Sequence, residues 1–78
     1  MSASAYILIE GAAGRIHRIL EELKQIDSVV TCDSVTGQFD IIALVKADDA
    51  NALGRLGLQE IQLIDGVLRT ITCNVIEL

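Results

Sequence analysis

The spacing of hydrophobic residues changes repeatedly along this chain, and the order of the changes restricts the folds that it can adopt. A continuous apolar run at residues 5–9 favours a β-strand, and from Ile16 to Ile26 the apolar residues recur at the spacing of an amphipathic helix. Alternating segments at residues 29–35 and 39–46 favour two more strands, joined by a tight turn at residues 36–38. The first half is therefore predicted to be strand, helix and strand, leading directly into a third strand.

The second half continues with a helix and a strand. Asp48 and Asp49 are suited to the N-terminus of a second helix, whose apolar residues continue to Ile64. Gly66 is suited to the left-handed conformation that often follows the last turn of a helix. Residues 67–76 are rich in β-branched side chains and predict the last strand.

The order βαββαβ indicates two βαβ units, and similar sequences at residues 26–29 and 64–67 end the helix of each unit. Right-handed crossovers in both units predict an α+β, ferredoxin-like fold, with a four-stranded antiparallel sheet and two helices on one face. We place the first and third strands side by side in the centre, expect these two to run parallel, and place the second and fourth at the edges. No proline or linker interrupts the chain, so residues 1–78 are predicted to be one domain.

The central strands are apolar on both faces, although two helices can cover only one face of the sheet. Residues 5–9 contain no charged side chain and residues 39–46 very few, whereas each edge strand has one polar side. The apolar second face must be covered by another surface to be shielded from water. The hydrophobic content of 51% is also high, because a chain this small cannot bury so many apolar side chains alone. We therefore predict an obligate homodimer of the dimeric α+β barrel type, packed sheet to sheet, whose monomer is poorly folded.

Composition argues against several classes of function. The formal net charge is -5 and the six Lys and Arg residues are scattered, so direct binding of nucleic acid is not expected. The N-terminus lacks the features of a signal peptide, and no apolar run approaches the ~18 residues of a membrane span, which predicts a soluble, cytoplasmic protein. Cys32 and Cys73 match no metal spacing and are predicted to be reduced, buried thiols. We expect no metal and no cofactor.

Two features that resemble catalytic or nucleotide-binding motifs are better explained by structure alone. His17, the single histidine, is predicted in the first turn of the first helix beside Arg15 and Arg18, without a nearby acid or nucleophile. We interpret it as a solvated residue, although positive charge at a helix N-terminus opposes the dipole and would also suit an anionic partner. The loop Gly-Ala-Ala-Gly at residues 11–14 lacks the rest of a phosphate-binding motif and is interpreted as a tight turn.

The turn between the second and third strands is the strongest candidate for a binding site. It places a flexible glycine, polar side chains and the carboxylate of Asp40 at one edge of the sheet. Ile42 and Leu44, which share the face of Asp40, are apolar, so an ionised carboxylate there needs a hydrogen-bonding or cationic partner. Asp40 therefore either caps its own turn or binds a ligand.

This turn resembles the Gly-x-Tyr/Phe-Asp signature in the effector domain of the Lrp/AsnC (feast/famine) transcriptional regulators, with Gly37, Phe39 and Asp40 at the matching positions. The two helix exits and the segment Arg-Thr-Ile-Thr at residues 69–72 agree with the same family in order and spacing. The similarity covers essentially the whole chain.

The resemblance implies a non-enzymatic module that binds a small effector, chiefly an amino acid, and assembles through its sheets into dimers and then into rings, commonly octamers. Effectors of such domains bind in clefts between neighbouring dimers. The turn from one dimer and the last strand of the adjoining dimer would then contact the ligand, and together they supply the predicted binding residues: Thr36, Gly37, Gln38, Phe39, Asp40, Thr70 and Thr72.

The chain also departs from the family pattern. Full regulators carry a winged helix-turn-helix ahead of this domain, whereas only residues 1–4 precede the first strand, so we expect no DNA reader here and a role that includes co-assembly with full-length regulators. Ser28 replaces a frequent glycine, and residues 11–14 replace a common Pro-Gly. Two alternatives stay open: a small enzyme of the dimeric α+β barrel class, such as a monooxygenase or isomerase, with Tyr6 as its only candidate residue, and an assembly domain without a ligand.

Overall fold

A computed structural model describes residues 2–78, with the exception of the Leu56 side chain. Its elements, in chain order, are β1 (Ala3–Gly11), α1 (Ile16–Leu23), β2 (Val29–Ser34), β3 (Ile41–Ala47), α2 (Ala50–Ala52), a π-helical stretch (Leu53–Leu58), α3 (Gln59–Gln62) and β4 (Val67–Asn74). The last three helical elements are continuous and together form the second helical segment. The predicted βαββαβ order is confirmed.

Both helices differ in detail from the prediction. The first helix ends at Leu23, before Ile26, because Gln25 and Ile26 donate to carbonyls three residues back and so tighten the last turn. The second begins as predicted, with Oδ1 of Asp49 accepting from the Ala52 amide at 2.8 Å. Its middle widens into a π-helical stretch that contains Gly54. Glycine has a low preference for the regular α-helix, which makes this departure less costly.

The sheet has the order β2-β3-β1-β4, so β1 and β3 are central, as predicted. All three pairings are antiparallel, including that of β1 with β3, and the expectation that these two strands run parallel is wrong. Each helical crossover returns the chain in the direction of the strand before it, which makes β1 parallel to β2. The tight hairpin then reverses β3, and β3 therefore meets β1 in the antiparallel direction.

The internal repeat seen in the sequence has a structural counterpart. After the first helix, Val29 donates to the carbonyl of Ile26, and the carbonyl of Ser28 accepts from Lys46 at 2.9 Å. After the second helical segment, Val67 donates to Ile64 in the same way, and the carbonyl of Gly66 accepts from Ala12 at 2.8 Å. Each helix exit is thereby tied to the opposite unit by one backbone hydrogen bond.

The hydrophobic core lies between the helices and one face of the sheet. Along β1 the buried side chains alternate with more exposed ones, as they do along β3. The buried core residues are Ala5, Ile7, Ile9, Ile19, Leu23, Ile41, Ala43, Val45, Leu53, Ile61 and Ile64. The second face carries side chains that the helices do not reach, and we call it the open face: Tyr6, Leu8, Ile42, Leu44, Ile71 and Cys73.

The open face is largely apolar and partly accessible in the single chain. Tyr6 is 46% exposed and Ile71 is 39% exposed, while Leu8 and Leu44 are half-buried by their neighbours. This is the arrangement expected of central strands that are apolar on both faces. Across residues 2–78, no helix is both long and apolar enough to cross a membrane.

Candidate functional site

The loop that joins β2 to β3, residues 35–40, projects from the end of the sheet. Thr36, Gly37 and Gln38 are exposed at its tip. Gly37 has a φ of 114°, which a residue with a side chain rarely adopts, so glycine is required for this turn. Phe39 and Asp40 precede β3 instead of starting it, which differs from the predicted strand at residues 39–46.

Asp40 is held firmly by three hydrogen bonds. Its amide donates to the carbonyl of Ile9 at 2.9 Å, and its carbonyl accepts from Val35 at 2.9 Å. Its side-chain Oδ2 accepts from the amide of Gly11, also at 2.9 Å. The register between β1 and β4 shifts at Glu10 and Gly11, so the carboxylate satisfies an amide where the regular strand pairing changes.

The carboxylate of Asp40 therefore binds a neighbouring strand and not its own turn. Only one of its two oxygens is used, since among residues 2–78 Oδ1 has no hydrogen-bond partner. The hydrogen bond to Gly11 fixes the orientation of the side chain at the base of an exposed loop. A positioned carboxylate oxygen of this kind is suited to accept from an ammonium group or another donor.

Phe39 contacts Arg69, a residue that the prediction of binding residues did not include. The guanidinium carbon of Arg69 lies 5.2 Å from the centroid of the Phe39 ring, which is within the range of a cation–π interaction. Arg69 lies opposite Glu10 in the register of β1 and β4, with 3.7 Å between Nε and Oε1. Sequence spacing does not reveal this contact, because it depends on the register of strands that are distant in the chain.

The two predicted threonines lie on the other side of the sheet. Thr70 and Thr72 are opposite Ile9 and Ile7, whose side chains face the helices. The hydroxyl of Thr70 accepts from Nε2 of Gln62 at 3.3 Å, and Thr72 is exposed at the free edge of β4. One chain therefore brings Phe39 to Arg69 and Asp40 to Gly11, but it does not bring the threonines to the face on which Arg69 lies.

The residues considered for catalysis or phosphate binding have structural explanations. His17 is 88% exposed, as expected of a solvated helix residue, but it lies 3.0 Å from Glu21 on the next turn, so the expectation that no acid is nearby is wrong. Arg15, at the start of the same helix, pairs with Asp65 at 3.1 Å, and this carboxylate offsets the unfavourable charge at the helix N-terminus. The amide of Gly11 donates to Asp40 and is not free to bind a phosphate.

Tyr6 lies on the open face, opposite Leu44 and Cys73, and so on the side of the sheet away from the helices. Tyr6 therefore does not lie in the space between the helices and the sheet. Both cysteines are free. Cys32 packs against the core, but Cys73 is exposed in the single chain, and the prediction of a buried thiol is wrong for it because the helices do not extend over the open face.

One concave region lies away from the loop, at the opposite end of β3. A cleft of about 460 Å³ there is bordered by Asp27, Ser28, Lys46 and Asp48. Within residues 2–78, the buried hydroxyl oxygen of Ser28 has no hydrogen-bond partner, and it lies close to Gly57. Among the described residues, no group of three or more His, Cys, Asp or Glu side chains is arranged to hold a metal ion.

Comparison with known proteins connects this fold to one family. Residues 4–78 match the model of the Lrp/AsnC ligand binding domain. An uncharacterized HTH-type transcriptional regulator of Pyrococcus abyssi is 32% identical over 68 residues, which cover 87% of this chain and 43% of the regulator. The chain thus spans less than half the length of this curated relative.

Solved structures of similar fold include both short and longer chains. The crystal structure of TTHA0845 from Thermus thermophilus has a TM-score of 0.90 and 30% identity, over 97% of this chain and 95% of that one. AsnC of E. coli has a TM-score of 0.89 and 26% identity, over 96% and 51%. The feast or famine regulatory protein Rv3291c of M. tuberculosis, solved in complex with L-methionine, has a TM-score of 0.80 and 28% identity, over 97% and 51%.

Proposed function

The chain belongs to the Lrp/AsnC ligand-binding domain family, and from this premise we propose that it binds a free amino acid at the loop of residues 36–40. It acts as a sensor and assembly module without catalysing a reaction. The observation that carries the proposal is the carboxylate of Asp40, which Gly11 orients at the base of the exposed loop. The related regulator Rv3291c, solved with L-methionine, supports the same class of ligand.

An amino acid presents an ammonium group and a carboxylate, and the loop is suited to the first of these. Oδ1 of Asp40 accepts from the ammonium group, while Oδ2 remains bonded to Gly11. The backbone of Gly37 and the side chains of Thr36 and Gln38 are exposed and close in sequence, and they supply further donors and acceptors. Phe39 gives an apolar surface for the rest of the ligand.

A neighbouring copy completes this site. The tip of the loop is exposed in the single chain, whereas small-molecule sites usually bury most of their ligand. Thr70 and Thr72 on the free edge of β4 are the contacts that we assign to the adjoining dimer. The unit of assembly is a dimer packed through the open face, and the dimers form a ring, for which an octamer is the expected size.

The proposed biological role follows from the relatives. The Pyrococcus abyssi relative is described as an HTH-type transcriptional regulator, and this chain matches 43% of it. A domain of the same family can join the assemblies of full-length regulators in the cytoplasm and alter their occupancy of DNA according to the amino-acid level. In this role it contacts the regulators and not the nucleic acid, in agreement with its net charge of -5.

Thermal unfolding at fixed protein concentration, with each common L-amino acid in turn, tests the proposed binding. A ligand at about a hundredfold over its Kd stabilises the folded state by about 2.7 kcal/mol, which raises the Tm by several degrees. We expect a selective shift from one or a few L-amino acids and none from their D-enantiomers. An absence of any shift from an intact oligomer would reject the sensor and leave assembly as the function.

The proposed dimer has its own test in Leu8→Arg. Leu8 lies in the middle of the open face, opposite Ile42 and Ile71, so a charge there is incompatible with packing against a second sheet. Leu63→Arg is the matched control, because Leu63 is 84% exposed at the end of the second helical segment. Sedimentation should show a loss of dimer for the first variant only; an unchanged dimer in Leu8→Arg would rule out this interface.

A further inference from the structure

Arg69 is held in position over the loop although its ionic partner is distant. The guanidinium lies 5.2 Å from the Phe39 ring, and stacking of this kind restricts the motion of a long side chain. The separation of 3.7 Å from Glu10 exceeds the 2.7–2.9 Å that is typical of a charge-assisted hydrogen bond. The guanidinium is therefore oriented by Phe39 while most of its hydrogen-bonding capacity is unused by Glu10.

The side chains of this pair are accessible as well as loosely bound. Arg69 is 57% exposed and Glu10 is 42% exposed. An ion pair with this exposure contributes little to stability, because water screens the charges and both side chains lose freedom when they pair. A carboxylate from a ligand can therefore replace Glu10 at small cost and form the closer, two-bonded contact for which a guanidinium is suited.

The position of Arg69 relative to Asp40 determines what such a ligand would be. Asp40 follows Phe39 directly and bonds to Gly11, while Arg69 is opposite Glu10. The end of β1 thus lies between an anionic and a cationic side chain, and the guanidinium reaches across it to the loop. A ligand at the end of β1 meets a fixed carboxylate on one side and a positioned guanidinium on the other, which matches the two charged ends of a zwitterion.

We infer that Arg69 binds the α-carboxylate of the amino acid and that Glu10 occupies Arg69 when the ligand is absent. This inference rests on the proposed amino-acid binding and adds a specificity-determining residue to it. Phe39 then has two roles, since it holds the guanidinium in place and offers its ring to the ligand. Arg69 of β4 then contacts Glu10 in the free state and the ligand in the bound state. Ligand binding is thereby linked to the edge strand β4.

The experiment compares each amino acid with its carboxamide, which keeps the ammonium group and the side chain but has no negative charge. The probes are L-methionine and L-methioninamide, or the corresponding pair if thermal unfolding selects another amino acid. Affinities are measured by calorimetry for the wild-type chain, Arg69→Gln, Arg69→Lys and Glu10→Gln. Urea unfolding of each variant without ligand reports separately on stability.

The expected results differ in sign between the variants. The wild-type chain should prefer the acid to the amide by about 10- to 100-fold, and Arg69→Gln should abolish this preference by weakening only the acid. Arg69→Lys should retain part of it, because the charge remains without the planar fork. Glu10→Gln should bind the acid several-fold more tightly than wild type, since the competing carboxylate is gone.

A purely structural role for Arg69 predicts something else. In that case Arg69→Gln weakens the binding of the acid and of the amide equally, or leaves both affinities unchanged, and Glu10→Gln does not tighten binding. Any of these results overturns the inference about Arg69. Binding of the amino acid to the wild-type chain would still support the proposed function. Absence of binding to the wild-type chain by any common amino acid rejects both together.

Discussion

The hydrogen bond from Gly11 to Asp40 predicts that stability and ligand binding can be separated with two substitutions of one residue. Asp40→Ala removes the acceptor of the Gly11 amide, which is half-buried at the shift in strand register. Leaving such a donor unpaired costs on the order of 1–3 kcal/mol. Gly11 is only partly buried, so water recovers some of this energy, and we expect a loss of about 1–2 kcal/mol.

Asp40→Asn keeps an oxygen in the same position and removes only the charge. A hydrogen bond to a neutral acceptor is about half as strong as one to a charged acceptor, so this variant should lose less than about 1 kcal/mol. Both variants lack the negative charge for the ammonium group, and both should bind the amino acid at least about tenfold more weakly. We expect the wild-type chain to be the most stable, Asp40→Asn to be less stable and Asp40→Ala to be the least stable. The two variants should have similar affinities for the amino acid.

Urea unfolding at fixed protein concentration without ligand measures the first quantity, and calorimetry measures the second. For a domain of this size about 1 kcal/mol corresponds to about 4–8 °C in Tm, so the difference between the variants is measurable. Asp27→Asn is the control, because it removes the same charge from an exposed position after the first helix, away from the loop and from the open face. Equal stability of Asp40→Ala and wild type would show that the Gly11 contact does not hold the strand register. Wild-type affinity of Asp40→Asn for the amino acid would show that Asp40 is not part of the binding site.

Four further substitutions test the surrounding structure. Gly66→Ala should destabilise by about 2 kcal/mol or more, because φ is 97° and the new Cβ would lie 2.8 Å from Cβ of Arg15. Gly14→Ala should cost only about 1 kcal/mol, because its φ is 82° but the space around it is open. Chemical denaturation compares the two variants. Ser28→Ala should stabilise by about 1 kcal/mol in the same assay, because it removes a buried hydroxyl that has no partner in the part of the chain that the structure describes. A loss of stability would indicate an unseen hydrogen bond. Tyr6→Phe should leave the amino-acid-induced shift in Tm unchanged, and loss of that shift would return Tyr6 to the candidate site.

Much of the fold is predictable because it depends on local patterns. The spacing of apolar residues identifies every strand and both helices, and Asp49 and Gly66 mark helix ends through conformations that few other residues adopt so readily. Errors occur where the chain direction depends on the whole topology. The parallel arrangement predicted for the central strands overlooked that the hairpin after residue 34 reverses β3 relative to β1.

The candidate site is only partly predictable. Gly37 and Asp40 are recognisable from the sequence of the turn, since one supplies a left-handed conformation and the other a carboxylate beside apolar neighbours. The use that the fold makes of Asp40 is not, because its partner Gly11 is 29 residues away. Arg69 was absent from the predicted binding residues for the same reason.

The sequence by itself determines the order of elements and the apolar character of both faces of the central strands. These properties are local, since side-chain size and backbone preference act over a few residues. Only the tertiary structure decides which carboxylate meets which amide and which cation lies over Phe39. Those contacts depend on strand register, and a shift of one residue would turn every side chain of a strand to the opposite face.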